Sequence, residues 1–189
     1  MLSYAARKAA KNMLTSTLET IGRVSMDPGR SRAIVLCYHS INSRKSSSSI
    51  DPEVFRSHVQ MLLDEGCRFV TYGSLMNDLR VGKRLRGRTI ALTFDDGFAD
   101  NLTVAAPIMQ ELGVKGTFFI STGMTLADPR VLSHVLGFTH FDEPYMTPRQ
   151  VKELHDAGME IGAHTHTHSN SGLFTRYRFH KRRGSVSRR

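Results

Sequence analysis

The stretch TIALTFDDGFADNLTVAAPIMQELGVKGTFFIS (residues 89–121) decides the fold class, because a strand, a helix and a second strand follow one another in it. TIALTF and KGTFFIS are short apolar runs rich in branched and aromatic residues, which predicts buried strands. The segment between them, NLTVAAPIMQELG, has helical spacing and ends at Gly113. A strand, helix and strand of this length predict a βαβ unit with parallel strands.

The same alternation continues on both sides of this unit. Asp51 followed by Pro52 is a helix start signal, and Gly66 is the matching stop. Thr147 and Gln150 form a capping box at the start of a later helix. The further predicted strands are AIVLCY, CRFVTY and MEIGAH, the further short helix is SLMNDLRVG, and residues 122–146 are expected to form a long loop. The whole pattern predicts an α/β protein with a parallel sheet or barrel.

Composition sets the broad class. The chain has 189 residues, 40% hydrophobic and 23% charged, which fits one globular domain and excludes disordered and fibrous classes. No run approaches the ~20 apolar residues of a membrane span. Basic residues interrupt residues 1–22, so we expect an amphipathic helix there, with no export signal, and a cytoplasmic location. Two cysteines, Cys37 and Cys67, lie in apolar segments and are expected to be free and buried.

The net charge of +9 belongs to the end of the chain. Residues 173–189 hold seven of the 26 Lys and Arg residues and no acid, so residues 1–172 carry 19 basic against 17 acidic residues, or +2. The body therefore does not predict specific nucleic-acid binding. The tail itself either lacks a specific partner or binds phosphates or anionic lipid surfaces.

The first candidate site is TFDDG (residues 93–97), at the end of the strand TIALTF. Two adjacent carboxylates, Asp95 and Asp96, repel each other unless a cation or a proton separates their roles. Asp-Gly is also a frequent turn pair, so an ordinary turn is the alternative.

The second candidate site is HTHTH (residues 164–168). His164 and His168 can share one face whether the segment is a helix or a strand, and imidazole nitrogens suit Zn²⁺ and similar metals. A solvated strand end is the alternative. Because active sites of parallel α/β folds lie at the carboxyl ends of strands, an Asp and two His from these two segments could form an open catalytic metal site.

With these two motifs, KGTFFIST, TPRQVKELHDAGMEIGAH and VLCYHSI, the sequence resembles the polysaccharide deacetylase family, also called the NodB-homology domain or carbohydrate esterase family 4. The resemblance covers roughly residues 33–170. It implies an incomplete (β/α) barrel of that type, and it divides the chain into an N-terminal helix and loop (1–32), a partial domain (33–172) and a basic tail (173–189) that is expected to be disordered.

The resemblance also implies roles for individual residues. Asp95 would be the general base, and Asp96, His164 and His168 would bind a divalent metal, expected to be Zn²⁺. His166 falls on a variable position of the family and is not expected to be a ligand, whereas Thr165 would be a supporting hydroxyl. The implied reaction is hydrolysis of N-acetyl, or less often O-acetyl, groups of a carbohydrate.

After Ser169 the resemblance ends, because SNSGLFTRYRFHKRRGSVSRR matches none of the family's later motifs. This predicts a truncated or frameshifted chain, in which the metal site is present but activity is low or absent. The alternative function is therefore a non-catalytic remnant or binding protein of the same fold. The sequence gives no indication of the oligomeric state.

Overall fold

The computed structural model of the chain describes residues 32–44, 46, 48–85, 87–136 and 144–167. The expected N-terminal helix, the basic tail and His168 lie outside these residues. None of the helices within these ranges is long and apolar enough to cross a membrane.

A five-stranded parallel sheet forms the centre of the described fold, as the sequence predicts. Strand β5 (Arg88–Phe94) pairs along one edge with β1 (Arg32–Tyr38). Its other edge pairs first with β4 (Arg68–Val70) and then with β6 (Thr117–Ile120), which pairs in turn with β7 (Glu160–Ala163). The strands within the described ranges do not close into a ring, so the expected incomplete (β/α) barrel is confirmed.

Helices and short connections join these strands. Next to the main sheet lies a small parallel pair, β2 (Ser40–Ile41) and β3 (Ser49–Ile50). The helices of the described residues are α1 (Pro52–Asp64), α2 (Tyr72–Arg80), α3 (Ala106–Glu111), α4 (Thr122–Thr125), α5 (Pro129–Leu136) and α6 (Pro148–Asp156). A π-helical turn (Asn101–Ala105) directly precedes α3.

The predicted helix signals are confirmed in α1 and α6. The Asp51 side chain accepts a hydrogen bond from the backbone N–H of Glu53 at 2.9 Å, and Gly66 has the positive φ of 71° that follows a helix end. Thr147 and Gln150 make both hydrogen bonds of the capping box. These boundaries depend on contacts within four residues, which explains why they can be read locally.

The predicted long loop at residues 122–146 is wrong in part, because α4 and α5 lie within it. The side chain of Asp128 accepts a hydrogen bond from the backbone N–H of Arg130 at 2.9 Å, and Pro129 is the first residue of α5. This is the same Asp-Pro signal that starts α1. The helices were missed because four and eight residues hold too few apolar repeats to show a clear helical period.

The core packs against one face of the sheet and is built around stacked aromatic rings. The rings of Phe94 and Phe118 stack at 4.4 Å, and Phe55 of α1 meets Phe94 edge to face at 5.7 Å. All three side chains are fully buried. Because Phe94 directly precedes Asp95, this packing fixes the strand end from which the first motif emerges.

Strand β1 is covered on one face only, and the expectation that Cys37 is buried is therefore wrong. Exposure alternates along β1, so that Val35 is 45% exposed and Cys37 is exposed while Tyr38 is buried. Cys67 is buried, as predicted, and both cysteines are free. The apolar composition of AIVLCY indicated a strand buried on both faces, but within the described residues β1 pairs only with β5 and packs on one face only.

Candidate active site

The first motif forms a tight turn that separates its two carboxylates. Asp96 and Gly97 both have positive φ, 73° and 84°, so the chain reverses sharply just after β5. A Cβ at Gly97 would lie 3.2 Å from the side chain of Ile120, which leaves little room for a larger residue. TFDDG therefore does contain a turn, and this turn places the two carboxylates in different surroundings.

Asp95 and Asp96 differ in burial. The backbone N–H of Asp95 donates to the carbonyl of Tyr38 at 2.9 Å and so extends the β1–β5 ladder, and Asp95 remains partly exposed. Asp96 is only 3% exposed. An ionised carboxylate buried to this degree needs a cation, a donor or a proton beside it.

His164 of the second motif lies beside the buried carboxylate. Its backbone N–H donates to the carbonyl of Ile120 at 2.9 Å, which places it at the carboxyl end of β7. Its Nε2 lies 3.3 Å from Oδ1 of Asp96. The parallel order β5–β6–β7 thus brings together two predicted site residues that are far apart in the sequence.

The separation of these two atoms fits a shared metal ion. Zinc binds nitrogen and oxygen ligands at about 2.0–2.1 Å in tetrahedral geometry, which puts two ligand atoms about 3.3–3.4 Å apart. An ion pair with a protonated imidazole would give a similar distance. No group of three His, Cys, Asp or Glu side chains suited to a metal is found in the part of the chain that the structure describes, and His168 lies outside it. The placement of Asp96 and His164 is compatible with a shared metal ion, and the metal and all three of its ligands stay predictions.

Cys37 contacts the other carboxylate. Its Sγ lies 3.4 Å from Oδ2 of Asp95, so the thiol can donate a weak hydrogen bond. Partial burial of the sulfur and, next, the negative charge of Asp95 raise the pKa of the Cys37 thiol to about 11. The thiol is therefore protonated at neutral pH, and its role beside Asp95 is that of a donor.

The junction between β6 and α4 connects the two motifs through consecutive backbone donors. The N–H of Ser121 donates to the carbonyl of Asp96 at 3.3 Å. The N–H groups of Thr122 and Gly123 donate to the carbonyls of Thr165 and His166 at 3.3 and 3.0 Å. The junction therefore holds both motifs at a fixed separation.

His166 interacts with the same junction and with α5. Its Nδ1 lies 2.9 Å from the hydroxyl of Thr122, and its Nε2 lies 3.8 Å from Oδ2 of Asp128. Hydrogen bonds from Arg130 hold the pKa of Asp128 at about 2, so this carboxylate is ionised at neutral pH. Neither Thr122 nor Asp128 is predicted from the sequence. The available signal was Ser121-Thr122 directly after an apolar strand, where polar residues of such folds gather.

A second polar network lies beside the first motif and was also missed. The carboxylate of Asp100 accepts hydrogen bonds from the hydroxyl of Ser40 and, at 3.0 Å, from the amide of Asn42. Asn101 is fully buried and donates to the carbonyl of His39 at 2.7 Å. These bonds tie the β1–β2 connection to the segment after Gly97, and so support the rim of the site.

Two comparisons of the sequence point to one family. A family model described as polysaccharide deacetylase matches residues 82–182, which is more than half of the chain and includes both motifs. A Bacillus subtilis protein, YxkH, whose name assigns it to the polysaccharide deacetylases, is 29% identical over 134 residues. That alignment covers 71% of this chain and 42% of YxkH, so the chain spans less than half of this relative.

Solved structures show the same fold. IcaB from Ammonifex degensii superposes with a TM-score of 0.59 at 24% identity, over 71% of this chain and 55% of IcaB. The Streptococcus pyogenes deacetylase PplD, solved in complex with acetate, gives a TM-score of 0.59 at 22% identity, over 79% of this chain and 62% of PplD. On the match of the family model, which takes in both TFDDG and HTHTH, the chain belongs to the polysaccharide deacetylase family.

Proposed function

We propose that the chain is a metal-dependent hydrolase that removes N-acetyl, or less often O-acetyl, groups from a carbohydrate. In this proposal Asp95 is the general base, and Asp96, His164 and His168 hold one divalent ion, expected to be Zn²⁺. The observation that carries the proposal is the 3.3 Å separation between Oδ1 of Asp96 and Nε2 of His164. It is supported by membership of the family and by the position of the site at the carboxyl ends of parallel strands.

The burial of the two aspartates suits different tasks. Asp96, at 3% exposure, is placed to give its charge to a cation, and Asp95 is accessible enough to take up a proton from solvent or substrate. The Cys37 thiol donates to one oxygen of Asp95 and leaves the other oxygen available. The sharp turn at Asp96 and Gly97 places the two carboxylates in different surroundings, which suits the two different roles proposed for them.

The proposed reaction uses these placements. A bound divalent ion supplies polarisation of the acetyl carbonyl and lowers the pKa of water. Asp95 accepts the proton of the attacking water as the new carbon–oxygen bond forms. The carbon–nitrogen bond of the amide would then break as the proton held by Asp95 passes to the amine nitrogen, and the amine and acetate would leave.

Metal binding is tested on the purified full chain by titration with Zn²⁺ after treatment with a chelator. We expect one ion per chain, lost in His164→Ala and in Asp96→Ala, because each removes one ligand of the proposed set. His155→Ala is the matched control, since His155 is an exposed residue of α6. A folded wild-type chain that binds no divalent ion would contradict the metal-dependent proposal.

Catalysis is tested by acetate release from acetylated chitooligosaccharides. We expect Asp95→Asn to lower kcat by about 10²–10⁴-fold, the usual contribution of a general base. Glu111→Gln is the control, because Glu111 is an exposed partner of Arg56 away from the motifs. An Asp95→Asn variant with wild-type kcat would remove Asp95 from the proposed mechanism.

A non-catalytic binding protein of the same fold is the second candidate. Among the described strands β1 pairs only with β5, and Val35 on it is exposed, which favours this candidate because a strand edge and an apolar position would be available to a partner. The two candidates are separated by the same assays. Zinc binding and acetylated-ligand binding without acetate release would support the second.

A further inference from the structure

We propose that His166, the middle histidine of HTHTH, is a positioning residue that fixes the turn presenting His164 to Asp96. The inference rests on the metal site proposed above and assigns His166 no bond to the metal. This role accounts for the contacts of the His166 side chain with Thr122 and Asp128, although His166 stands between two proposed metal ligands.

The turn after His164 needs an external restraint. On its N-terminal side, His164 is held by the hydrogen bond from its N–H to the carbonyl of Ile120. On its C-terminal side, Thr165 has a φ of 56°, a left-handed conformation that is unfavourable for a β-branched residue. Such a conformation persists only where surrounding contacts impose it.

The restraint comes from the β6–α4 junction. The N–H groups of Thr122 and Gly123 donate to the carbonyls of Thr165 and His166, which are the peptide groups of the turn itself. A Cβ at Gly123 would lie 2.3 Å from the His166 carbonyl oxygen, so the close approach requires glycine at this position. The backbone of the turn is thus fastened at two successive peptide groups.

The imidazole of His166 adds a side-chain restraint to the same place. Its Nδ1 lies 2.9 Å from the Thr122 hydroxyl, and its Nε2 lies 3.8 Å from the Asp128 carboxylate. Arg130 holds that carboxylate through side-chain contacts at 2.9 and 3.2 Å. Both ring nitrogens therefore face polar groups of the α4–α5 segment. Without the imidazole ring the turn would be less restrained, and the position of the His164 side chain relative to Asp96 would no longer be fixed.

The first test needs no metal. Hydrogen exchange of the Thr122 and Gly123 amides is measured in the metal-free full chain for wild type, His166→Ala and His166→Asn. We expect faster exchange in His166→Ala, because the turn that accepts these two hydrogen bonds is released. We expect near wild-type exchange in His166→Asn, since the asparagine amide can place a polar atom close to the position of Nδ1.

The second test measures zinc affinity by competition with a chromophoric chelator. We expect His166→Ala and Thr122→Val each to weaken Zn²⁺ binding by about tenfold, the lower end of the effect of residues that support metal ligands. The double variant should bind no more weakly than His166→Ala alone, because His166→Ala already removes the contact that Thr122→Val removes. His166→Asn should restore most of the affinity, and circular dichroism checks that every variant is folded.

The outcomes are decisive in each direction. Wild-type amide exchange in His166→Ala would refute the restraint, and faster exchange with unchanged zinc affinity would make His166 purely structural and overturn the proposal. If the wild-type chain itself binds no zinc, the proposed metal site fails, and the exchange experiment alone decides whether His166 fixes the turn.

Discussion

Replacing Asp95 should make the thiol of Cys37 more reactive, because the two side chains are in contact. The pKa of this thiol is raised from 9.0 to about 11, first by partial burial of the sulfur and next by the charge of Asp95. Below its pKa, each unit of pKa changes the thiolate fraction tenfold, so the full shift corresponds to a factor of about 100. Asp95→Asn removes the charge and leaves the burial, so we expect alkylation at pH 8 to be about 3–10-fold faster.

The assay is alkylation by iodoacetamide, followed by mass spectrometry of the Cys37 peptide. Cys67 is buried, at 8% exposure, and its own alkylation rate in the same sample reports any general opening of the fold. Glu111→Gln is the matched charge control, because Glu111 is exposed, pairs with Arg56 and does not contribute to the pKa of either cysteine. An Asp95→Asn variant in which Cys37 reacts at the wild-type rate would refute the contact and the placement of Asp95 beside β1.

Three further predictions concern stability. Burial lowers the pKa of His58, whose Nε2 has no hydrogen-bond partner within the described ranges, so the folded state takes up a proton less readily than the unfolded state. Stability should therefore be complete above about pH 6.5 and fall as the pH decreases below it, and His58→Gln should flatten this dependence in urea unfolding between pH 7 and 5. Phe118→Ala, in the fully buried aromatic stack, should lower the free energy of unfolding by about 3–5 kcal/mol, whereas Leu126→Ala, at 63% exposure, should change it by less than about 1 kcal/mol. Gly123→Ala should cost about 1–3 kcal/mol in thermal unfolding, because its Cβ would lie 2.3 Å from the His166 carbonyl oxygen; a wild-type Tm would contradict the close packing of α4 on the second motif.

The site was predictable where residue type and strand position carried the information. Asp95 and His164 directly follow the ends of β5 and β7, Asp96 is the next residue after Asp95, and parallel strands gather such residues at one edge of the sheet. The structure adds the different surroundings of the two carboxylates. A positive φ at Asp96 buries one carboxylate beside His164 while the other contacts Cys37, and no local pattern specifies which of two adjacent aspartates turns inward.

The expectations that failed depended on what packs against a segment. Cys37 lies in an apolar run that reads as a fully buried strand, yet exposure alternates along β1 because one of its faces is left uncovered within the described residues. The helices α4 and α5 were missed because they are short. The contacts of His166 with Thr122 and Asp128 depend on α4 and α5, and the prediction of a loop at residues 122–146 gives no indication of them.

The sequence by itself determined the order of strands and helices, the helix starts at Asp51 and Thr147, and the two motifs that identify the family. These features depend on periodicity and on hydrogen bonds within a few residues, which are properties of the local chain. Only the tertiary structure decided that Asp96 meets His164 and that the β6–α4 junction fastens both motifs. These contacts join segments distant in the sequence, and their distances follow from sheet register and loop packing, which no single segment encodes.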